Sequence, residues 1–246
     1  MTPPGRLTSS LLSLSHNLLP KQVNTKRKGI ASWWAQTTNG NQFWPVILSE
    51  KTQAGVVRLR PLTPKDETAW AEMRRRNYQW LAPWEASNPG PKKAKLGFPE
   101  FVKMLNQQAR SGEALPWAIE FNGHLVGQVT VSSIHYGSLC SATIGYWISQ
   151  SAAGKGIIPT AVALAVDYCF WARGLHRIEI NIRPDNPRSL RVVEKLGFRD
   201  EGLREKYLHI NGDWADHRTF ALTKDDIPNG LLTRWRDQQA TPEFIK

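Results

Sequence analysis

The sequence predicts a mixed α/β domain built on one central β-sheet with both antiparallel and parallel strand pairs. Two Asn-Gly dipeptides, at 122–123 and 211–212, each lie between two strand patterns, which is typical of tight antiparallel hairpins. Between 141 and 182, a strand pattern, a long helical pattern and another strand pattern follow one another. Two strands joined by a helix lie parallel in one sheet, so the predicted sheet is mixed.

The first predicted strand covers 56–60, where GVVRLRPL alternates apolar and polar residues. The helix after it has Thr63 as its N-cap, Pro64 at its first position and Asp66 three residues after the cap, a capping-box arrangement. Trp70, Met73 and Leu81 mark its buried side. A second helix is predicted in the segment FPEFVKMLNQQARSG.

The second half of the chain continues the alternation. LPWAIEF and HLVGQVTVSSI form the first hairpin, and SATIGYWI is the next strand of the same meander. Residues 151–174 then predict a loop and a helix that ends at Gly174. HRIEINI is a strand, and the helix in NPRSLRVVEKLGF begins with Asn186 as N-cap and Pro187 at its first position. The second hairpin follows.

Both ends of the chain differ in composition from its centre. Residues 1–45 contain five cations and no acid and are rich in Ser, Thr, Leu and Pro. We expect a basic disordered extension there, with a targeting segment or a start codon assigned too early as the alternatives. The indoles of 32–48 are expected to pack at the domain edge. Residues 55–225 form the predicted domain, and 226–246 a polar tail with a weak helical pattern.

The net charge of +11 points to an acidic partner, such as a phosphorylated cofactor, RNA or a nucleoprotein surface. Plain solvation of the charges is the alternative. Cys140 and Cys169 stand far apart without metal-type spacing, so we expect reduced thiols in a cytoplasmic protein and no cysteine nucleophile. No apolar run approaches the length of a membrane-spanning helix.

The loop at 151–156 has the composition of an anion-binding site. Gly154 and Gly156 flank Lys155 where the helical pattern begins. Exposed backbone N–H groups and the helix dipole attract phosphate at such a position. The spacing matches neither the phosphate loop of nucleotide hydrolases nor the dinucleotide fingerprint. A tight strand-to-helix turn without a ligand is the alternative.

Several motifs together resemble the GCN5-related N-acetyltransferases (GNAT). IGYWI, SAAGKG and the helix after them are similar to the acetyl-CoA-binding core of that superfamily, and RPDNPRSLRVVEKLGFRDEG is similar to its next element. VVRLRPLTPKD, LAPWE and YLHINGDWADHRTFALT resemble the RimJ/RimL branch, the ribosomal-protein N-terminal acetyltransferases, and most of all its RimJ-type alanine acetyltransferases. The resemblance covers residues 55–225.

The resemblance implies the GNAT fold, with a central mixed sheet, helices on both faces and acetyl-CoA bound at the splay after the fourth strand. It implies acetyl-CoA as cosubstrate and no metal. A backbone N–H near the end of the fourth strand would stabilise the negative charge that develops on the thioester oxygen. Ser151 stands where relatives often have Gln or Arg, so phosphate binding is expected to rely on backbone amides and Lys155. The residues that match cofactor-binding positions are Ile148, Ser149, Ser151, Gly154, Lys155, Gly156, Asn186 and Ser189.

Acetyl transfer also requires an acid for the departing thiolate and a base for the amine. Ser189 matches a serine that the RimL side of the branch places near the sulfur; the alternatives are a purely binding role for Ser189, or Tyr207 as the acid. Glu85 lies on the loop where the branch receives the substrate N-terminus, and it is one candidate base. Glu179 on HRIEINI is the other, unless its side chain faces a helix or solvent. The RimL-type carboxylate of the last hairpin has no counterpart, because Leu208 occupies its place.

These observations lead to one hypothesis and two alternatives. The hypothesis is direct acetyl transfer, with both substrates bound, to the Ala-type N-terminal amine of a ribosomal protein in the cytoplasm, near RNA and away from membranes. One alternative keeps the fold and takes a small amine such as an antibiotic or polyamine as acceptor. The other is a non-catalytic module that binds acyl-CoA, or binds RNA through its basic N-terminal arm.

Overall fold

The computed structural model of the protein describes residues 44–91 and 96–240. Residues 1–43 of the extension predicted at 1–45, and residues 241–246 of the predicted tail, lie outside these residues.

Eight described strands form one sheet in the order β1-β2-β3-β4-β5-β6-β8-β7. The parallel pair is β5 with β6, and the other neighbouring pairs are antiparallel, which confirms the predicted mixed sheet. Both Asn-Gly dipeptides lie at hairpin turns. The strands are β1 Leu48–Thr52, β2 Gly55–Pro61, β3 Leu115–Phe121, β4 His124–His135, β5 Ser141–Ile148, β6 Arg177–Ile182, β7 Arg199–Ile210 and β8 Asp213–Thr223.

The helices are α1 Glu67–Arg76, α2 Tyr78–Leu81, α3 Phe98–Ser111, α4 Ile157–Asp167, α5 Pro187–Leu196 and α6 Leu231–Ala240. The capping box between Thr63 and Asp66 forms as predicted, in a short 3-10 turn before α1. Asn186 caps α5, since its side chain accepts the Ser189 N–H. The first predicted helix is not continuous. It is interrupted at Asn77, whose side chain forms hydrogen bonds with residues 149 and 150.

Helices cover both faces of the sheet, as the resemblance implies. Successive residues of a strand point to opposite faces. Along β3, Trp117 and Ile119 belong to the main core, in which every residue of α4 is buried. Ala118 between them belongs to a second apolar cluster with Val102 and Leu105 of α3. The sheet is therefore a middle layer between α4 on one side and α3 on the other.

The fold extends beyond the predicted limits of 55–225 at both ends. β1 precedes the first predicted strand and pairs with β2, so that Leu48 lies opposite Leu59. Trp44 lies inside the core and not at the domain edge: it is 1% exposed, and its Nε1 donates to Asn106 Oδ1 at 2.7 Å. At the other end, α6 buries Leu231 and Trp235 against the domain. Within the described residues, we find no helix with both the length and the apolar character to cross a bilayer.

Candidate active site

The sheet opens between β5 and β6. Their parallel pairing covers only Ser141 to Thr143 of β5, whereas the pairing of β5 with β4 continues to Ile148. The second half of β5 therefore has an unpaired edge that faces away from β4. A cavity of about 780 Å³ lies at this opening. Its wall is formed by the end of β5, the loop before α4 and the first turn of α4, one side of α5 from its cap to Lys195, and the end of α1 with the segment after it.

The backbone at the end of β5 directs the Ile148 N–H into this opening. The Ser149 N–H donates to the Val126 carbonyl of β4 at 2.7 Å, so it points towards β4 and away from the opening. Neighbouring residues of an antiparallel strand direct their polar groups to opposite edges, so the Ile148 N–H points into the opening. The Ile148 carbonyl lies on the same edge and accepts from Trp80 Nε1 at 2.9 Å. Of the two candidate donors, Ile148 has the suitable orientation and Ser149 does not.

The loop between β5 and α4 lies at one end of the cavity. Gly154 and Gly156 line the cavity and have φ angles of +80° and +73°, which favour glycine. A Cβ atom on Gly154 would meet nothing within 4 Å, so the backbone is open to a ligand there. Ser151 does not line the cavity; its Oγ lies 3.1 Å from Ser149 Oγ. Lys155 is exposed beside the cavity and not part of its lining.

Asn77 holds the start of this loop, a function that the sequence analysis missed. Its Oδ1 accepts from the Gln150 N–H at 2.8 Å and from Ser149 Oγ at 3.3 Å. Its Nδ2 donates to the Met73 carbonyl at 2.8 Å, and the residue is 7% exposed. An asparagine inside an otherwise helical pattern was the available signal, because asparagine favours caps over helix interiors.

The start of α5 supplies the two predicted polar residues, Asn186 and Ser189, to the cavity wall. Asn186 Oδ1 accepts the Ser189 N–H at 3.1 Å, which fixes the first turn of the helix. Tyr146 of β5 lines the same wall, and its hydroxyl donates to the Ser189 carbonyl at 3.4 Å. Burial raises the pKa of Tyr146, so the phenol stays protonated. The sequence analysis missed Tyr146, although it lies two residues before Ile148 on the same strand edge.

A partly exposed ion pair also lines the cavity. Glu85 lines the cavity, as its assignment to the acceptor loop requires, and it forms a salt bridge with Arg74. The Arg74 guanidinium lies 5.1 Å from the centre of the Trp147 ring, and burial lowers the pKa of Arg74. Trp84 beside Glu85 is covered by the Arg183 guanidinium at 5.3 Å. The Glu85 carboxylate therefore already has a cationic partner, Arg74.

Glu179 is not brought to this site. Its carboxylate accepts from Arg177 Nε at 2.9 Å and from Arg204 Nη2 at 3.3 Å, and it does not line the cavity. The strand alternation is the reason: Ile178 and Ile180 face the core, which turns Glu179 to the other side, where the arginines lie. Tyr207 also lies outside the cavity lining, packed on His217.

Two other classes of group do not contribute to the cavity. Cys169 is fully buried, and burial raises the pKa of its thiol to about 12, while Cys140 precedes the start of β5 at the far end from the opening. In the range 44–91 and 96–240, no three His, Cys, Asp or Glu side chains are grouped so that they could hold a metal ion.

Comparison with known proteins gives one family match and several similar proteins. Residues 56–199 match the family model described as "Acetyltransferase (GNAT) domain". The chain is 32% identical over 169 residues to the "[Ribosomal protein uS5]-alanine N-acetyltransferase" of Escherichia coli strain K12, covering 67% of this chain and 87% of that protein. It is 45% identical over 102 residues to the "Probable N-acetyltransferase YjcK" of Bacillus subtilis strain 168, covering 42% of this chain and 56% of that protein.

A solved structure is also similar. "Mycobacterium smegmatis RimJ in complex with CoA-disulfide" has a TM-score of 0.75 and 38% sequence identity, covering 80% of this chain and 96% of that one.

Proposed function

Since this chain belongs to the GNAT family of acetyl-CoA-dependent N-acetyltransferases, we propose that it acetylates the N-terminal amine of a ribosomal protein that begins with alanine. The observation that carries the proposal is the single cavity wall that runs from the bare loop at Gly154 to Glu85. A donor that enters from the loop and an amine that enters past Glu85 meet at the unpaired edge of β5. The named substrates of the relatives, ribosomal protein uS5 among them, support a protein N-terminus as the acceptor.

The cosubstrate supplies the activated acetyl group, and the chain's residues bind and orient it. The N–H groups at the start of α4, with the two glycines, suit the phosphates of coenzyme A. The Ile148 N–H is the proposed donor to the thioester oxygen, where negative charge develops as the amine attacks. This N–H lies on the edge of β5 that does not pair with β6, where the cavity separates the two strands.

We assign proton transfer to two residues that line the cavity. Ser189 is the proposed acid: its hydroxyl passes a proton to the departing thiolate and takes one from solvent water in the same step. The Ser189 carbonyl is held by the hydroxyl of Tyr146. Glu85 is proposed to hold the incoming ammonium in exchange for Arg74 and to accept its proton through water. The amine then attacks while both substrates are bound, so no acetylated protein side chain is required.

The proposal is tested by acetylation of defined amines. A peptide with the N-terminal sequence of uS5, starting with free alanine, is compared with the same peptide N-acetylated, with a serine-first version and with spermidine. We expect the mass of one acetyl group on the free alanine peptide, less on the serine peptide and none on the blocked one. Turnover with spermidine alone would replace the proposal by a small-amine acetyltransferase. Coenzyme A binding without turnover of any amine would favour the binding module.

A further inference from the structure

We propose that Thr160 and Trp235 are positioning residues that aim a backbone N–H of the cofactor loop into the cavity. Trp235 lies on α6, at 231–240, beyond the residues 56–199 that match the family model. The inference rests on the cofactor site and not on the identity of the acceptor. It assigns to the C-terminal helix a part in cofactor binding.

A chain of two hydrogen bonds connects α6 to the loop. Trp235 Nε1 donates to Thr160 Oγ1 at 3.0 Å, and Thr160 Oγ1 donates to the Gly156 carbonyl at 2.9 Å. The Thr160 N–H donates to the same carbonyl at 3.2 Å. Thr160 has no exposed surface and Trp235 is 7% exposed, so water does not compete for these bonds. The hydroxyl both accepts and donates, which fixes its rotamer.

The orientation of the Gly156 carbonyl determines where the next N–H points. In a trans peptide the C=O of one residue and the N–H of the next point in opposite directions. Two donors from Thr160 hold the Gly156 carbonyl along α4, so the Ile157 N–H points out of the helix start, where Gly156 and Ile157 line the cavity. This N–H has no partner within the helix, because it belongs to the first turn.

Gly156 needs such a constraint because glycine restricts its own backbone least. Its φ of +73° is open to glycine at no steric cost, and so are many other conformations. Side chains of α6 also pack beside Gly156, in the space that a side chain of its own would occupy. A Cβ on Gly156 would lie 3.6 Å from Trp235 Cζ2 and 3.5 Å from Gln239 Nε2. Trp235 therefore restrains the glycine both by packing and through the Thr160 hydroxyl.

The helix that carries Trp235 is itself fixed to α4. The carboxylate of Asp167, the last residue of α4, accepts the N–H groups of Leu231 and Leu232 at 2.6 and 3.1 Å. Asp167 thus caps the start of α6, where N–H groups lack partners. Asp167 holds α6 near the end of α4, and Thr160 holds it near the start of α4. The position of α6 therefore affects the loop before α4.

The test measures binding of coenzyme A by calorimetry in single variants. Trp235→Phe keeps an aromatic ring but removes the indole N–H together with the five-membered ring, Thr160→Val removes the hydroxyl, and Thr160→Ser retains it. We expect about three- to tenfold weaker binding for Trp235→Phe and Thr160→Val, matching the loss of one hydrogen bond, and near-normal binding for Thr160→Ser. In turnover assays, the KM for acetyl-CoA should rise while kcat and the acceptor KM stay constant.

Trp44→Phe is the matched control, since Trp44 is also buried and its Nε1 donates to Asn106 at 2.7 Å, on a different part of the core. It should lower the melting temperature about as much as Trp235→Phe and leave coenzyme A affinity unchanged. Unchanged affinity in folded Trp235→Phe and Thr160→Val would overturn the proposal, and so would an equal loss of affinity in Trp44→Phe. Coenzyme A binding needs no acceptor, so this result is independent of which amine is acetylated.

Discussion

Gly154→Glu tests whether the loop before α4 receives the phosphates of coenzyme A. Gly154 lines the cavity, is exposed, and leaves the space of its missing Cβ empty to 4 Å. A glutamate there extends its carboxylate into the region proposed for the phosphates. Like charges then oppose binding, while the fold meets no steric obstacle.

The size of the effect follows from charge separation. Two like charges about 5 Å apart repel by about 3 kcal/mol at an effective dielectric of about 20, and by less than about 1 kcal/mol in bulk water. For an exposed loop we expect about 2 kcal/mol, which corresponds to about thirtyfold weaker binding of coenzyme A. The φ of +80° also strains any side chain, and this second effect must be separated from the charge.

Calorimetric titration of coenzyme A into three variants makes the separation. Gly154→Asn introduces a side chain that tolerates positive φ and carries no charge. The affinity of this variant for coenzyme A should stay close to that of the wild type. Gly137→Glu adds the same charge at a glycine with φ of +75° and free Cβ space, in the turn before β5 and away from the cavity. It should bind normally. Wild-type affinity in a folded Gly154→Glu protein would refute the placement of the phosphates at this loop.

Three further changes probe the proton-transfer groups and one buried carboxyl. Ser189→Ala should lower kcat at least tenfold with little effect on coenzyme A affinity, as expected for loss of an acid worth about 1.4 kcal/mol or more; a pure affinity loss, seen by calorimetry, would make Ser189 a binding residue. Glu85→Gln should raise the acceptor KM about tenfold and leave the acetyl-CoA KM unchanged in steady-state kinetics, and an unaltered acceptor KM would contradict its role. Burial raises the pKa of Asp167 from 3.8 to about 6. Between these two pH values the native state binds more protons than the unfolded state. The free energy of unfolding therefore falls as the pH rises through this interval. Denaturant titrations of Asp167→Asn across that pH range should show a smaller fall than wild type, and an identical slope would show that another group is responsible.

Local rules accounted for much of the fold. The capping box at Thr63 and Asp66, the cap at Asn186 and the two Asn-Gly hairpins each depend on residues within a few positions of one another. Because backbone geometry at such positions is decided by neighbouring side chains, the sequence alone was sufficient. The parallel pair of β5 and β6 followed from connectivity, since a helix lies between the two strands.

The site was predictable where it depended on backbone chemistry. Gly154 and Gly156 were identified by composition, and the motif resemblance placed Asn186 and Ser189 on the same wall. Their catalytic and binding roles remain predictions that the variants above test.

Tertiary structure decided the features whose partners lie far away in the chain. Asn77 interrupts a helical pattern because its side chain finds residues 149 and 150, and Glu179 is turned from the cavity towards Arg204, 25 residues away. The salt bridge of Glu85 with Arg74 and the contact of Trp235 with Thr160 are of the same kind. The sequence shows which polar side chain stands at each position. The function of that side chain depends on which distant group the packing of the chain brings within hydrogen-bond distance. The sequence therefore determined the mixed sheet of the predicted domain, the caps and the bare loop. Only the packed structure added β1 to that sheet and determined which charged groups are paired.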